Sequence, residues 1–289
     1  MLMLALLGSM VATMAQAGEQ QPRWSQLEFS ASKFFMTARF GVTVHERPAA
    51  DISQSLLGVP KGQPVAPADS VLELVYRMSG FGHQSSATLW VDPASGASLQ
   101  QTELDSGRRQ RLRDYRFTDL GAWHFSRWPA SRAEQALPPA QWTDLGEGLR
   151  AFPAAIRGQP VASATTLLWL AAAGDYTQVG DRDEVLVFSR GQVSRVGIEF
   201  RGRRSIQVDY QEHGPAGTQQ RRGKLEALVL TIRGQPLEST GGDSEFELLG
   251  LQGNLELLLD PLTRIPLQLS GMVKIAGQVT VRLQEATLR

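Results

Sequence analysis

Period-two alternation of apolar and polar residues constrains the fold of this chain more than any other feature. The clearest apolar stripe comprises Phe34, Met36, Ala38, Phe40, Val42 and Val44. Similar stripes recur in the segments 72–78, 196–200, 206–210, 228–232 and 279–283. Successive side chains of a strand point to opposite faces of a sheet, so this pattern predicts strands with one apolar and one polar face.

Short turn sequences separate these stripes and decide how the strands are connected. Asp-Pro turns begin at Asp92 and Asp260, and glycine-containing turns lie at 189–191 and 214–215. Strands joined by such tight turns form antiparallel hairpins, whereas parallel strands need long crossover connections. The sequence therefore predicts an all-β fold, either a large curved antiparallel sheet or an open β-barrel.

Three segments depart from the strand pattern. Residues 48–69 and 129–162 are rich in proline, which favours loops and excludes central strands. Residues 165–173, with the sequence TTLLWLAAA, predict one short helix that packs on the sheet. We therefore expect a single large β-domain over 18–289, with two halves, 18–128 and 163–289, joined by the proline-rich segment 129–162.

A weak internal repeat relates the two halves. Residues 87–100 align with residues 255–268, and the alignment matches Asp92-Pro93 with Asp260-Pro261. Two origins stay open: a duplication of one ancestral half, or two independent uses of a common Asp-Pro turn. Both predict that each segment forms a hairpin.

The first residues have the features of an export signal. Residues 1–14 are almost wholly apolar, and Ala15-Gln16-Ala17 is an A-x-A cleavage sequence. An apolar run of this length is shorter than the roughly 20 residues that span a bilayer. Residues 1–17 thus predict a signal peptide and a mature protein in the periplasm or outside the cell, not transmembrane after cleavage. No basic residue precedes the run, so a buried N-terminal helix is the alternative.

The C-terminal part, 163–288, resembles an uncharacterised family of exported bacterial β-rich proteins, the domain-of-unknown-function family three-one-zero-eight. The closing run 253–283 carries the resemblance: a strand ends in the turn at Asp260, an apolar strand follows, and a glycine precedes the last strand. The resemblance implies a strongly curved antiparallel sheet and a location in the cell envelope. It implies no reaction.

The composition removes several classes of function. Cysteine is absent, which excludes thiol catalysis and cysteine-type zinc sites. The 29 basic and 29 acidic residues balance, so no general attraction to nucleic acid is expected. The sequence contains no G-x-S-x-G and no H-E-x-x-H motif. We therefore expect a protein that is not an enzyme and has no metal or cofactor; its oligomeric state is not predicted.

Two groups of residues are candidate ligand contacts. Arg109, Arg111 and Arg113 share one face of a predicted strand and suit phosphate or carboxylate oxygens. The alternative is that they pair with nearby acids such as Glu103 and Asp105. The second group, Trp123, Phe125, Trp128 and Trp142, lies before and within the proline-rich segment. These aromatics either line a ligand cavity or anchor a loop to the sheet.

These observations lead to two functional hypotheses. The first is a non-catalytic binding module whose curved sheet holds an apolar or lipid-like ligand against the aromatic and arginine side chains. The second is a structural or assembly partner of another envelope protein, with a filled core and an exposed sheet edge for docking. A void enclosed by the sheet would distinguish the first hypothesis from the second.

Overall fold

The computed structural model of the protein describes residues 22–33, 36–80, 83–107, 110–238, 246–274 and 276–289. The predicted signal peptide lies outside these residues. The strands of the N-terminal part are β1 (Trp24–Lys33), β2 (Met36–Pro48), β3 (Ser70–Gly80), β4 (His83–Val91), β5 (Ser98–Asp105), β6 (Arg111–Phe117), β7 (Gly121–Trp128) and β8 (Asp144–Ala151). Those of the C-terminal part are β9 (Ala162–Ser163), β10 (Arg182–Ser189), β11 (Gln192–Gly214), β12 (Gly217–Pro236), β13 (Glu247–Leu248), β14 (Leu251–Leu259), β15 (Pro266–Val273) and β16 (Gly277–Leu288).

All of these strands belong to one curved sheet. Its order is β8-β7-β6-β5-β4-β3-β2-β1-β16-β15-β14-β12-β11-β10-β9, with β13 attached to β14. The predicted all-β fold is therefore confirmed, as an open sheet with β8 and β9 at its ends. The sheet is mixed rather than wholly antiparallel, because β9 pairs with β10, and the far end of β11 with β16, in the parallel direction.

Two short helices complete the fold: α1 (Ala49–Ile52) and α2 (Leu167–Ala173). The predicted helix corresponds to α2 and a preceding 3₁₀ turn, Ala164–Thr166. Six of the seven α2 residues are buried, and five of these share the main core with apolar side chains of β2, β3 and β14. The concave side of the sheet is thus largely filled by α2. No helix among the described residues is long and apolar enough to cross a membrane.

The proline-rich segment 129–162 differs from the expected loop in one respect, because it contains β8. This strand pairs only with β7, and it runs between Pro139 and Pro153. Proline is tolerated beside an edge strand because one side of such a strand has no ladder hydrogen bonds to lose. The segment therefore forms the rim of the sheet instead of leaving it.

Residues 161–163, which we call the strap, connect the two sides of the curved sheet. The backbone N–H of Ser98 on β5 donates to the carbonyl of Val161 at 2.9 Å, and the N–H of Ser163 donates to Ser98 Oγ at 2.8 Å. The strap also pairs with Val187 and Phe188 of β10. These bonds hold β5 and β10 close together and define one wall of the space described next.

Candidate functional site

A half-open cavity of about 280 Å³, which we call the cleft, lies on the concave side of the sheet beside the strap. Strands β2 to β6 form its floor, and the turn after β10, the strap and the segment around β13 form its opposite wall. Its lining includes Phe40, Tyr76, Met78, Ala87, Gln101, Glu103, Arg113, Tyr115, Ser163, Phe188, Arg190, Glu247 and Leu249. The cleft is therefore a place where the concave side is not filled by α2.

The floor of the cleft changes from apolar to charged along one row of paired residues. Tyr76, Ala87, Glu103 and Arg113 line the cleft and lie opposite one another on β3, β4, β5 and β6. The buried Val42 of β2, opposite Tyr76, continues the row beyond the cleft. Directly paired residues point to the same face of a sheet, so this row forms a continuous surface. The small side chain of Ala87 stands at its centre, which leaves a depression between an apolar end and a charged end.

The apolar end is built from stacked aromatic rings. The rings of Phe29 and Phe40 lie 5.6 Å apart, and those of Phe40 and Tyr76 lie 5.5 Å apart. The Tyr76 hydroxyl donates a hydrogen bond to the carbonyl of Thr165, just before α2. Burial raises the pKa of Tyr76 far above its usual value. Tyr76 is thus a fixed, neutral part of the wall.

The charged end is a small network of ion pairs. Arg113 lies 2.7 Å from Glu103 and 3.3 Å from Asp105, and Arg111 lies 3.4 Å from Asp105. Burial raises the pKa of Glu103, although Arg113 acts in the opposite direction. Gln101 donates to the Glu103 carboxylate and accepts a 2.5 Å hydrogen bond from Ser163 of the strap. The network therefore connects β5, β6 and the strap.

The opposite wall carries a second ion pair. Arg190, in the turn between β10 and β11, lies 2.8 Å from Glu247 on β13. Gln252 donates to the same carboxylate at 3.1 Å. With Glu103 and Arg113 across the cleft, the polar part of the site presents both signs of charge. Such a surface suits a polar group that accepts and donates hydrogen bonds.

The structure divides the predicted ligand contacts between the two faces of the sheet. Arg113 lines the cleft, and Arg111 shares its face. Trp123 and Phe125 lie opposite Arg116 and Asp114, the neighbours of the cleft-facing residues, so they point to the convex face. The Trp123 indole donates to the carbonyl of Lys61 at 2.7 Å and anchors the loop that follows α1. Arg109 lies outside the described residues.

The other two predicted aromatics contact the rim. The ring of Trp128 lies over Gly146, whose missing side chain leaves room for it on β8. The Trp142 indole donates to the carbonyls of Glu134 and Leu137 at 3.0 and 3.2 Å, within the segment before β8. None of the four aromatics is among the residues that line the cleft. Their role as ligand contacts stays a prediction.

Sequence reasoning did not single out Phe40, Tyr76, Ala87, Glu103 or Ser163 as a site. Phe40 and Tyr76 belong to the recognised apolar stripes, but a stripe does not say which of its members faces an empty volume. One signal was present: in β4 the inward positions 85 and 87 are serine and alanine, where a strand of this core would otherwise carry large apolar residues.

Among the described residues, the lining of the cleft includes no pair of a hydroxyl nucleophile and a histidine. The described residues contain no cluster of three histidine, aspartate or glutamate side chains able to hold a metal ion.

Comparison with known proteins finds no relative of this chain. No protein-family model, no curated protein and no solved structure matches the chain. The predicted resemblance of 163–288 to an exported bacterial family therefore stays a prediction.

Proposed function

We propose that the protein is an exported, non-catalytic binding module and that its cleft holds an apolar, lipid-like ligand with a polar end. The observation that carries this proposal is the row from Val42 through Ala87 to Arg113, which is apolar at one end, small at the centre and charged at the other. A ligand lying along this row would place its apolar part on Phe40 and Tyr76.

The polar end of such a ligand would meet paired charges rather than free ones. Glu103 and Asp105 engage Arg113, and Glu247 engages Arg190. An ionic headgroup of one sign would have to break one of these pairs, and that leaves a partly buried charge without its partner. A neutral polar group, such as a hydroxyl or an amide, can bond to the network as it stands. We therefore expect a neutral polar end.

The test is to fill the depression without changing the rest of the sheet. Ala87→Leu places a larger side chain at the centre of the row, and Thr88→Leu on the other face of β4 serves as the matched control. We expect protein from the cell envelope to carry a bound small molecule in native mass spectrometry and to take up the neutral dye Nile red. Ala87→Leu should lose both properties, and Thr88→Leu should keep them.

The same experiment separates the two hypotheses. A clean ligand-free mass and no dye uptake by the unmodified protein would contradict the proposal. Repeated capture of one protein by cross-linking at Leu145, which is 62% exposed on the edge strand β8, would then favour the assembly partner. An edge strand exposes unpaired backbone groups that another chain can extend.

A further inference from the structure

A second cavity lies where the long β11–β12 hairpin crosses β16. Residues 211–213 of β11 pair with 285–287 of β16, and this parallel bridge closes a loop of pairings through β11, β12, β14, β15 and β16. Away from the bridge the strands diverge and leave a cavity of about 430 Å³, which we call the groove.

The groove and the cleft share no lining residue, and Arg282 of the groove lies on the face of the sheet away from the cleft. Arg282 pairs with Ser30 of β1, whereas the adjacent pair, Leu283 and Phe29, faces the stacked rings of the cleft. Consecutive residues of a strand point to opposite sides, so Arg282 faces away from the cleft. A ligand in the groove would therefore be independent of one in the cleft.

One wall of the groove is apolar. Ile206, Val208 and Tyr210 alternate along β11 with Gln207 and Asp209 and so share a face. Leu267 and Leu283 also contribute to the lining. An alkyl or aryl group placed here would be removed from water on several sides, which favours binding in proportion to the apolar area covered.

The closed end of the groove carries no free charge. Glu212 is 2% exposed, and its carboxylate lies 3.1 Å from Arg221. Gln219 and the Tyr210 hydroxyl also donate to that carboxylate. Asp209, the acid that lines the groove, lies 2.8 Å from Arg222 and accepts from Gln220. Both acids are thus already compensated.

Arg282 differs from Glu212 and Asp209 because it has no partner of opposite charge among the described residues. Its side chain is exposed, lines the groove, and forms no ion pair within the described ranges of the chain. Arg282 and Gln284 also line an adjoining cavity of about 410 Å³ with Ser30, Ser32 and Thr280. A guanidinium without a counter-ion, surrounded by hydroxyl and amide donors and next to an apolar wall, is suited to an oxyanion attached to an apolar group.

We propose that the groove binds an anionic amphiphile, with its carboxylate or phosphate on Arg282 and its apolar part against Ile206, Val208 and Tyr210. The site is distinct from the cleft in its lining residues and in its charge. A protein with both sites would hold a neutral polar ligand and an anionic one at the same time.

The experiment titrates the full chain with single-chain probes below their micelle concentrations. Isothermal titration calorimetry with sodium laurate and with dodecyl phosphate tests the two oxyanions separately, and dodecyltrimethylammonium tests the opposite charge. We expect one or both anions to bind and the cation not to bind. Arg282→Gln should weaken anion binding by about tenfold or more, because it removes a charge-assisted contact. Val208→Glu should abolish binding.

Two control variants show whether the anion binds in the groove or elsewhere on the protein. Arg77→Gln removes an exposed arginine from the convex face of β3, three strands away in the sheet, and should leave binding unchanged. Ala87→Leu, which fills the cleft, should also leave it unchanged. The proposal is overturned if neither anion binds, if Arg282→Gln binds as the unmodified protein does, or if Arg77→Gln loses binding to the same extent.

Discussion

The β4–β5 and β14–β15 hairpins have the same turn but different interiors. In the first, the N–H of Asp92 donates to Ala97 O and the N–H of Gly96 donates to Asp92 O, both at 2.9 Å. In the second, the backbone N–H of Asp260 donates to the carbonyl of Ile265 at 2.9 Å, and the backbone N–H of Arg264 donates to the carbonyl of Asp260 at 3.0 Å. The register also shifts at matching places, between Trp90 and Val91 and between Leu258 and Leu259. The two backbones thus match around the turn, whereas farther from it only β14–β15 has a second register shift, between Gln252 and Glu256.

The difference lies in one pair of inward positions. In the first hairpin, Ala87 faces Glu103, and the cleft opens above them. In the second, Leu255 is completely buried, and a Cβ on Gly271 would lie only 2.5 Å from its side chain. At corresponding positions the first hairpin therefore has a small residue on its first strand and a large one on its second, and the second hairpin has the reverse. Of the two hairpins, only the first lines the cleft.

The two turns also hold α2 between them, by different means. A Cβ on Gly96 would lie 2.9 Å from the side chain of Leu170. Arg264 donates to the carbonyl of Gly174, just beyond the end of α2, and its guanidinium lies 5.4 Å from the centre of the Tyr176 ring. One turn approaches the helix by lacking a side chain, and the other reaches it with a long one.

The largest expected loss of unfolding free energy comes from a substitution that makes the interior of the second hairpin resemble that of the first. Leu255→Ala removes a fully buried side chain from the main core, and such changes cost about 2–5 kcal/mol because the cavity collapses only in part. Urea denaturation measures this loss of unfolding free energy. Leu262→Ala, at an exposed position in the same turn, is the control. A cost below about 1 kcal/mol for Leu255→Ala would show that the second interior is loosely packed.

A smaller loss of unfolding free energy should follow from a substitution in the turn of the first hairpin. Gly96 has a φ of +71°, which other residues adopt at a cost of roughly 1–2 kcal/mol, and Leu170 leaves little space for a side chain. Gly96→Ala should therefore lower the unfolding free energy by at least that amount. Gly250→Ala is the matched control, because its φ is +80° but no atom lies within 4 Å of the added Cβ. Equal costs for the two variants would show that contact with Leu170 is unimportant.

The smallest expected change in stability concerns Glu103 of the first hairpin, whose counterpart in the second hairpin is Gly271. Burial raises the pKa of Glu103. A raised pKa in the folded state means that the stabilising contribution is present below the pKa of the unfolded chain and is lost as the pH rises through the folded value. Glu103→Gln removes this loss. Its stability relative to the unmodified protein should thus increase over a pH range that starts at about 4.3, the usual pKa of a glutamate, and extends upward.

Urea midpoints for both proteins across that range measure the change. Glu147→Gln on the exposed edge strand β8 controls for the added amide. Parallel stability curves for Glu103→Gln and the unmodified protein would mean that the Glu103–Arg113 pair outweighs the effect of burial.

Much of the fold could be read from the pattern of residues, but the sites could not. The stripe 72–78 became β3, TTLLWLAAA became α2 with its preceding turn, and both Asp-Pro segments became hairpin turns. The strand β1 lacks a full alternating stripe, and β8 lies between prolines, so local pattern did not identify either. Trp123 and Arg113 are both candidate ligand contacts in the sequence, yet they point to opposite faces of the sheet.

By itself, the sequence determined the type of structure: alternating strands, tight turns and one buried helix, because these follow from residues that are neighbours in the chain. Only the tertiary structure decided where the concave side is filled and where it is empty. That outcome depends on contacts between distant residues, such as α2 with two turns that are far apart in sequence, and on whether an inward position holds alanine or leucine. Local periodicity does not contain that information, because it fixes the direction of a side chain but not the volume opposite to it.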